Sequence, residues 1–152
     1  MKFIVQVLAA MAFVAGGAAE LQDGVQLGET FGGPTATTVR SITIRASDRV
    51  DAVSLDVADL KGLTTTLYHG GGGGDPNTLA LGENEHIIGL RHTGFTTDAG
   101  NTISGGNPTD QIGKDSAPDG YQLGGFAGFC GDELDSVGAI WTSIKPVESP
   151  LK

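Results

Sequence analysis

"GYQLGGFAGFCGDELDSVGAIWTSI", residues 120–144, sets two apolar runs on either side of an acidic, glycine-led step near the end of a 152-residue chain. The runs 121–129 and 136–144 mix small and bulky apolar side chains without helical periodicity, which predicts two strands. The step between them, Gly131-Asp132-Glu133-Leu134-Asp135, is then the loop of the pair. Trp141 and Phe129 sit on these strands among apolar neighbours, so both read as core residues, with Phe129 close enough to the loop to touch a ligand.

The same pattern continues upstream. "SITIR" (41–45) and "VDAVSLDV" (50–57) alternate on either side of Ala46-Ser47-Asp48, as a hairpin does. In the second strand Val53, Leu55 and Val57 share one face, and Ser54 and Asp56 the other. "TTTLYH" (64–69), "TLAL" (78–81), "HIIGL" (86–90) and "NTIS" (101–104) are further strands, separated by glycine-rich turns, and no long segment has helical spacing. The expected fold class is all-β. Residues 20–144 suit one domain with one core, and 145–152, with two prolines and no pattern, read as a tail. Three of the glycine clusters, "GGPT" (32–35), "GGDPNT" (73–78) and "GGNPT" (105–109), share a Gly-Gly, an early proline and a threonine. Their spacing suits three related β units, each announced by a turn.

Residues 1–19 read as a secretory signal: a short basic start at Lys2, an apolar run over 3–14, and small residues before a cut near Ala19 and Glu20. The run is too short to cross a bilayer, so the expectation is an exported, extracellular protein. The formal charge is −9, and loss of Lys2 with the signal takes it to −10. Such a surface repels phosphate backbones and anionic headgroups, which disfavours nucleic acid and membrane binding but leaves neutral glycans open; neither nucleic acid nor membrane insertion is expected. Cys130 is the single cysteine, so no internal disulfide forms, and it reads as buried. No N-glycan is predicted, because Pro108 blocks the site at Asn107, and Asn77 and Asn101 lack the downstream hydroxyl.

Several sharper chemistries fail on spacing. The run Gly70 to Gly74 has no lysine after it to complete a phosphate cradle, and reads as a flexible turn. His69, His86 and His92 have no partners at zinc-binding spacing. Asp132, Glu133 and Asp135 lack the alternating oxygens and distal glutamate of a calcium loop. No Gly-x-Ser-x-Gly turn marks a nucleophile, and carboxylates are too many to single out a glycosidase pair. No catalytic residue, metal site or cofactor is expected.

From about residue 28 to 144 the chain resembles the jacalin-related lectins. The features that carry this are "ETFGGP", "VRSITIRASDRVDAVSLDV", "HGGGGGDPNTLALGENEHI" and, most specific, the segment 120–144. That last segment is similar to the family's closing Gly-Phe-x-Gly-x-x-Gly-x-x-x-Asp-x-x-Gly, and the whole resembles exported single-domain members from oomycetes. The resemblance implies a β-prism of three four-stranded Greek-key sheets with a metal-free sugar site at one end, preferring mannose or glucose. It assigns the site to Gly131, Asp132, Glu133, Leu134 and Asp135, with Gly32 and Gly33 as the other wall. Chemically the assignment is sound: a carboxylate at Asp135 accepts from two neighbouring hydroxyls, and loop amides donate to sugar oxygens. Partners are then glycans or glycoproteins, and useful avidity requires multivalency, which a homo-oligomer would supply.

Three departures accompany the resemblance. The loop has acidic residues where the family often has aromatics, the segment before "SITIR" is short, and the extra strand between Ile87 and Gly94 is missing. The third predicts one incomplete sheet with an unpaired edge. Together they motivate an alternative, a secreted protein-interaction module that keeps the scaffold and has lost sugar binding.

Overall fold

The computed structural model describes residues 20–23, 38–59, 61–91, 94–107, 113–130 and 133–144, with the backbone alone at 20–23, 128–130 and 135. Eleven strands carry the described chain: β1 (Glu20–Asp23), β2 (Thr38–Ala46), β3 (Val50–Ala58), β4 (Thr64–Gly70), β5 (Asp75–Ala80), β6 (Ile87–Arg91), β7 (Gly94–Thr97), β8 (Thr102–Ser104), β9 (Lys114–Ser116), β10 (Tyr121–Cys130) and β11 (Leu134–Ser143). They form three antiparallel sheets, in the orders β1-β10-β11, β4-β3-β2-β5 and β8-β7-β6-β9.

Each sheet is built on a hairpin, and in two of them the next two strands add to its outer edges. After β2–β3, strand β4 joins β3 and β5 returns to β2; after β6–β7, strand β8 joins β7 and β9 returns to β6. This is the Greek-key order that the resemblance implies. The expected gap between Ile87 and Gly94 is not there: β6 and β7 pair directly, Arg91 opposite Gly94, and the sheet has four strands. "GFTT" forms β7, which pairs with β6 on one side and β8 on the other. The sheet with three strands among the described residues is instead β1-β10-β11, and residues 24–37 lie outside the description.

Alternation explains most of the core, and bulges explain where it breaks. In β2, Val39 is buried and then Ile42 and Ile44, a spacing of three followed by two. The register shows why: Val39 faces Val57 and Ser41 faces Asp56, so Arg40 is an extra residue that flips the phase. Gly124 plays the same part in β10, between Leu123 opposite Trp141 and Gly125 opposite Ile140. A Cβ there would lie 2.3 Å from the Thr142 methyl, so the bulge requires glycine.

Inward faces of the three sheets share one core. Ile42, Ile44, Leu55 and Val57 come from the second sheet, Ile87, Leu90 and Phe95 from the third, and Leu123, Phe126 and Trp141 from the first. One ring from each sheet meets at its centre: Phe126 lies edge-on to Phe95 at 5.9 Å and to His69 at 5.7 Å. Trp141 is 1% exposed, and its Nε1 donates to Asp115 Oδ2 at 2.9 Å, which ties β11 to the edge strand β9 of another sheet. Three sheets closed around a common core make a β-prism, as expected.

Burial sets the protonation of the centre. Desolvation holds the His69 ring below its ordinary value of 6.5, since a charged imidazole would lose its water among apolar neighbours. The unfolded chain takes up that proton first as pH falls, so the contribution is fully present above about pH 6.5 and is lost progressively below it. Melting temperature should therefore fall from pH 7 to pH 5, and His69→Phe, which keeps a ring against Phe126, should make the fall shallower. Parallel wild-type and variant curves would refute this.

Candidate functional site

Hairpin registers bring three strand tips together at one end of the prism. The turn of β2–β3 covers 47–49, that of β10–β11 leads into Glu133, and Arg49 Nη1 lies 3.1 Å from Glu133 Oε2, so the two tips touch. Ser104 is paired with Gly94 at the tip of the third hairpin, and from there Gly105 to Asn107 run against the β2–β3 turn. Asn107 N donates to the Asp48 carbonyl at 2.9 Å, and a Cβ on Gly106 would come within 3.0 Å of the Arg49 carbonyl carbon and Val50 nitrogen. The opposite end is knitted separately, by Glu85 accepting from Thr97 Oγ1, Asn101 Nδ2 and the Gly82 amide. These three bonds, the Thr97 hydroxyl first, hold that exposed carboxyl below its ordinary range.

The glycine run belongs to the first end too. Gly70 is paired with Ala52 and Asp75 with Ala46, so residues 71–74 cross the β2–β3 tip. The run is a turn, as read, but it is fastened. Arg45 donates from Nε to the Gly73 carbonyl at 2.9 Å and from Nη2 to those of Gly74 at 2.8 Å and Gly72 at 3.3 Å. Glycine is required for closeness: a Cβ on Gly74, whose φ is +64°, would stand 2.4 Å from Asp51 Oδ2.

Asp51 has a counterpart. In β2–β3 Ala46 faces Val50 and Arg45 faces Ala52, so Asp51 is the extra residue of a bulge just past the tip. In β10–β11 Cys130 faces Leu134 and Phe129 faces Ser136, so Asp135 is the extra residue at the same place. Bulges of this kind re-aim a side chain at the rim of a sheet. The tip of β6–β7 has neither the bulge nor an aspartate, since Arg91 faces Gly94 directly. Around Asp51 the arrangement is visible: its Oδ2 is buried under the glycine run without a hydrogen-bond partner. No spacing rule at the sequence level finds this equivalence, because it lies in the register of the two hairpins.

The residues expected to bind sugar fall as follows. Glu133 is half-buried and turned to Arg49. Leu134 is half-buried with its side chain packed on the core. Asp135 is placed by its backbone, at the bulge. Gly131, Asp132, Gly32 and Gly33 lie outside the described residues, as does His92. The side chains of Phe129 and Cys130 do too. His69 is in the core, and His86 Nδ1 lies 2.9 Å from Asp98 Oδ2 at the far end. Among the described residues no three of His, Cys, Asp and Glu are grouped to hold a metal ion.

Comparison with known proteins agrees with this architecture. Residues 22–140 match the family described as the Jacalin-like lectin domain. No curated protein sequence matches. Among solved structures, Malaysian banana lectin superposes with a TM-score of 0.69 at 20% identity, covering 90% of this chain and 99% of its own. A mannose binding jacalin related lectin from Ananas comosus gives 0.66 at 21% identity, covering 89% and 98%. Artocarpin, in its complex with mannopentose, gives 0.68 at 16% identity, covering 90% and 98%. At these identities the superpositions speak for the fold, and the family match over most of the sequence speaks for descent: the chain belongs to the jacalin-like lectin domain family.

Proposed function

We propose that the protein is an exported, non-catalytic lectin, released from a signal peptide near Ala19, that binds mannose- or glucose-type glycans without a metal. Sugar sits between the loop 131–135 and the Gly32–Gly33 turn. The observation that carries this reading is the pair of bulged aspartates: Asp51 lies under the glycine run at the tip of β2–β3, and Asp135 is the extra residue at the same place in β10–β11. Mannose-binding proteins among the structural neighbours support the choice of sugar.

Recognition then follows from ordinary hydrogen-bond chemistry. The Asp135 carboxylate accepts from two adjacent hydroxyls, each bond worth about 1.5–3 kcal/mol before desolvation. Amides at Asp132 and Glu133 donate to sugar oxygens, and glycine at 32 and 33 lets the ring approach main chain. Water competes for every one of these groups, and binding also costs rigid-body freedom, so a monosaccharide Kd on the order of millimolar, about −4 kcal/mol, is expected. Avidity comes from presenting several sites at once.

A glycan array probed with residues 20–152, with and without EDTA, tests the reading. Binding to mannose- or glucose-terminated glycans that persists in EDTA is the expected result. A blank array from protein that circular dichroism shows to be folded would favour the interaction module that has lost sugar binding. Binding abolished by EDTA would overturn the metal-free reading and point to a cation at the site.

A further inference from the structure

We propose that β4 is a dimerisation edge: two copies of the chain join antiparallel along Thr64–Gly70, making one continuous sheet from the β4-β3-β2-β5 sheet of each.

A sheet edge presents unpaired N–H and C=O groups, and proteins ordinarily blunt it with charge, proline, bulges or shortness. Three of the four outer strands in the two four-stranded sheets are blunted in that way. β5 begins Asp75-Pro76, and its Asn77 Nδ2 donates to the Ser104 carbonyl at 3.3 Å. β8 has three residues, and β9, also three, carries Lys114 and Asp115. β4 has none of these features. Its seven residues, TTTLYHG, include no carboxylate, lysine, arginine or proline, and they pair with β3 without a register shift.

Apolar exposure marks the same edge. Leu63, 65% exposed, precedes the strand, and Tyr68, 45% exposed, lies on it; these are the large apolar side chains left exposed among the described residues. A two-fold axis through the middle of β4 pairs it with its copy antiparallel, which brings the Leu63 end of one copy to the Tyr68 end of the other.

Charge selects a second copy as the occupant. The chain carries a formal charge of −9, so two copies repel over most of their surface and meet at least cost where neither presents a carboxylate. Asp56, on β3 opposite Thr66, is already engaged: it accepts from Ser41 Oγ at 2.8 Å and from Thr66 Oγ1. The same strand serves both sides of the axis, so the assembly closes at two. Gly70 leads into the end of the prism that carries the β2–β3 tip, and antiparallel joining points the two such ends in opposite directions. On the lectin reading, which the dimer itself does not need, the pair bridges two glycan surfaces instead of gripping one.

The test is sedimentation velocity of residues 20–152 from about 5 to 500 µM, with amide hydrogen exchange at both ends of that range. One strand pair buries less than the roughly 1,200 Å² of a stable complex, so a weak dimer with a Kd on the order of tens of micromolar is expected. Protection should rise with concentration over 64–70. Thr66→Lys and Thr66→Glu each set like charges against one another near the axis, so each alone should stay monomeric, and an equal mixture of the two should dimerise again. Wild type that stays monomeric throughout overturns the proposal, as does protection that rises elsewhere and not over 64–70. A dimer that persists in Thr66→Lys alone, a mixture that stays monomeric, or growth beyond two copies would overturn it too. None of these measurements uses sugar, so the dimer and the lectin reading stand or fall separately.

Discussion

Asp135→Ala is expected to abolish retention on mannose beads while leaving the fold intact. Two charge-assisted hydrogen bonds at about 1.5–3 kcal/mol each, less what desolvation removes, make a net loss of about 3 kcal/mol reasonable. Set against a total near −4 kcal/mol, that is roughly a hundred-fold, which moves a millimolar Kd beyond measurement. Asp135→Asn keeps the shape and one acceptor but not the charge, so it should fall between the two. Retention of Asp135→Ala at the wild-type level, with a normal circular dichroism spectrum, would remove the aspartate from the site.

Trp141→Ala should cause the largest loss of stability of any single change in the core. The side chain is almost fully buried, and its removal leaves a large cavity between sheets, at about 3–5 kcal/mol. It also deprives Asp115 Oδ2 of the indole donor that joins β11 to β9. Small domains have only about 5–15 kcal/mol in hand, so a melting temperature lower by roughly 10 °C or more is expected. Trp141→Phe separates the two effects, because it fills most of the space and loses only the hydrogen bond, at about 1–3 kcal/mol. A drop of less than about 2 °C for Trp141→Ala would mean that the sheets are not held together here.

How far these features could be read before the structure depends on what kind of information each one uses. The hairpin β2–β3 was legible because Val53, Leu55 and Val57 alternate with polar residues, and burial on one face of a strand demands that alternation. Strands β1, "ELQD", and β9, "KDS", were not expected, since neither has an apolar face of its own; each exists by pairing with a longer strand, Glu20 opposite Cys130 and Leu90 opposite Asp115. The gap inferred before Gly94 came from matching the family's spacing, whereas the chain makes its hairpin with fewer residues. The candidate loop was legible from its glycine and acids. What the sequence concealed was tertiary: the bulge common to Asp51 and Asp135, the Arg45 clamp on the glycine run, and Arg49 reaching across to Glu133.

Sugar binding between residues 131–135 and Gly32–Gly33, at one end of the prism, is best probed by titrating methyl α-mannoside into the 15N-labelled protein, residues 20–152, and following every backbone amide. Fast-exchange shifts with a Kd on the order of millimolar, largest at residues 131–135 and at Gly32 and Gly33 and unaffected by EDTA, are the expected result. Shifts concentrated at the Glu85 end of the prism, or none at sugar concentrations several times that Kd, would contradict it.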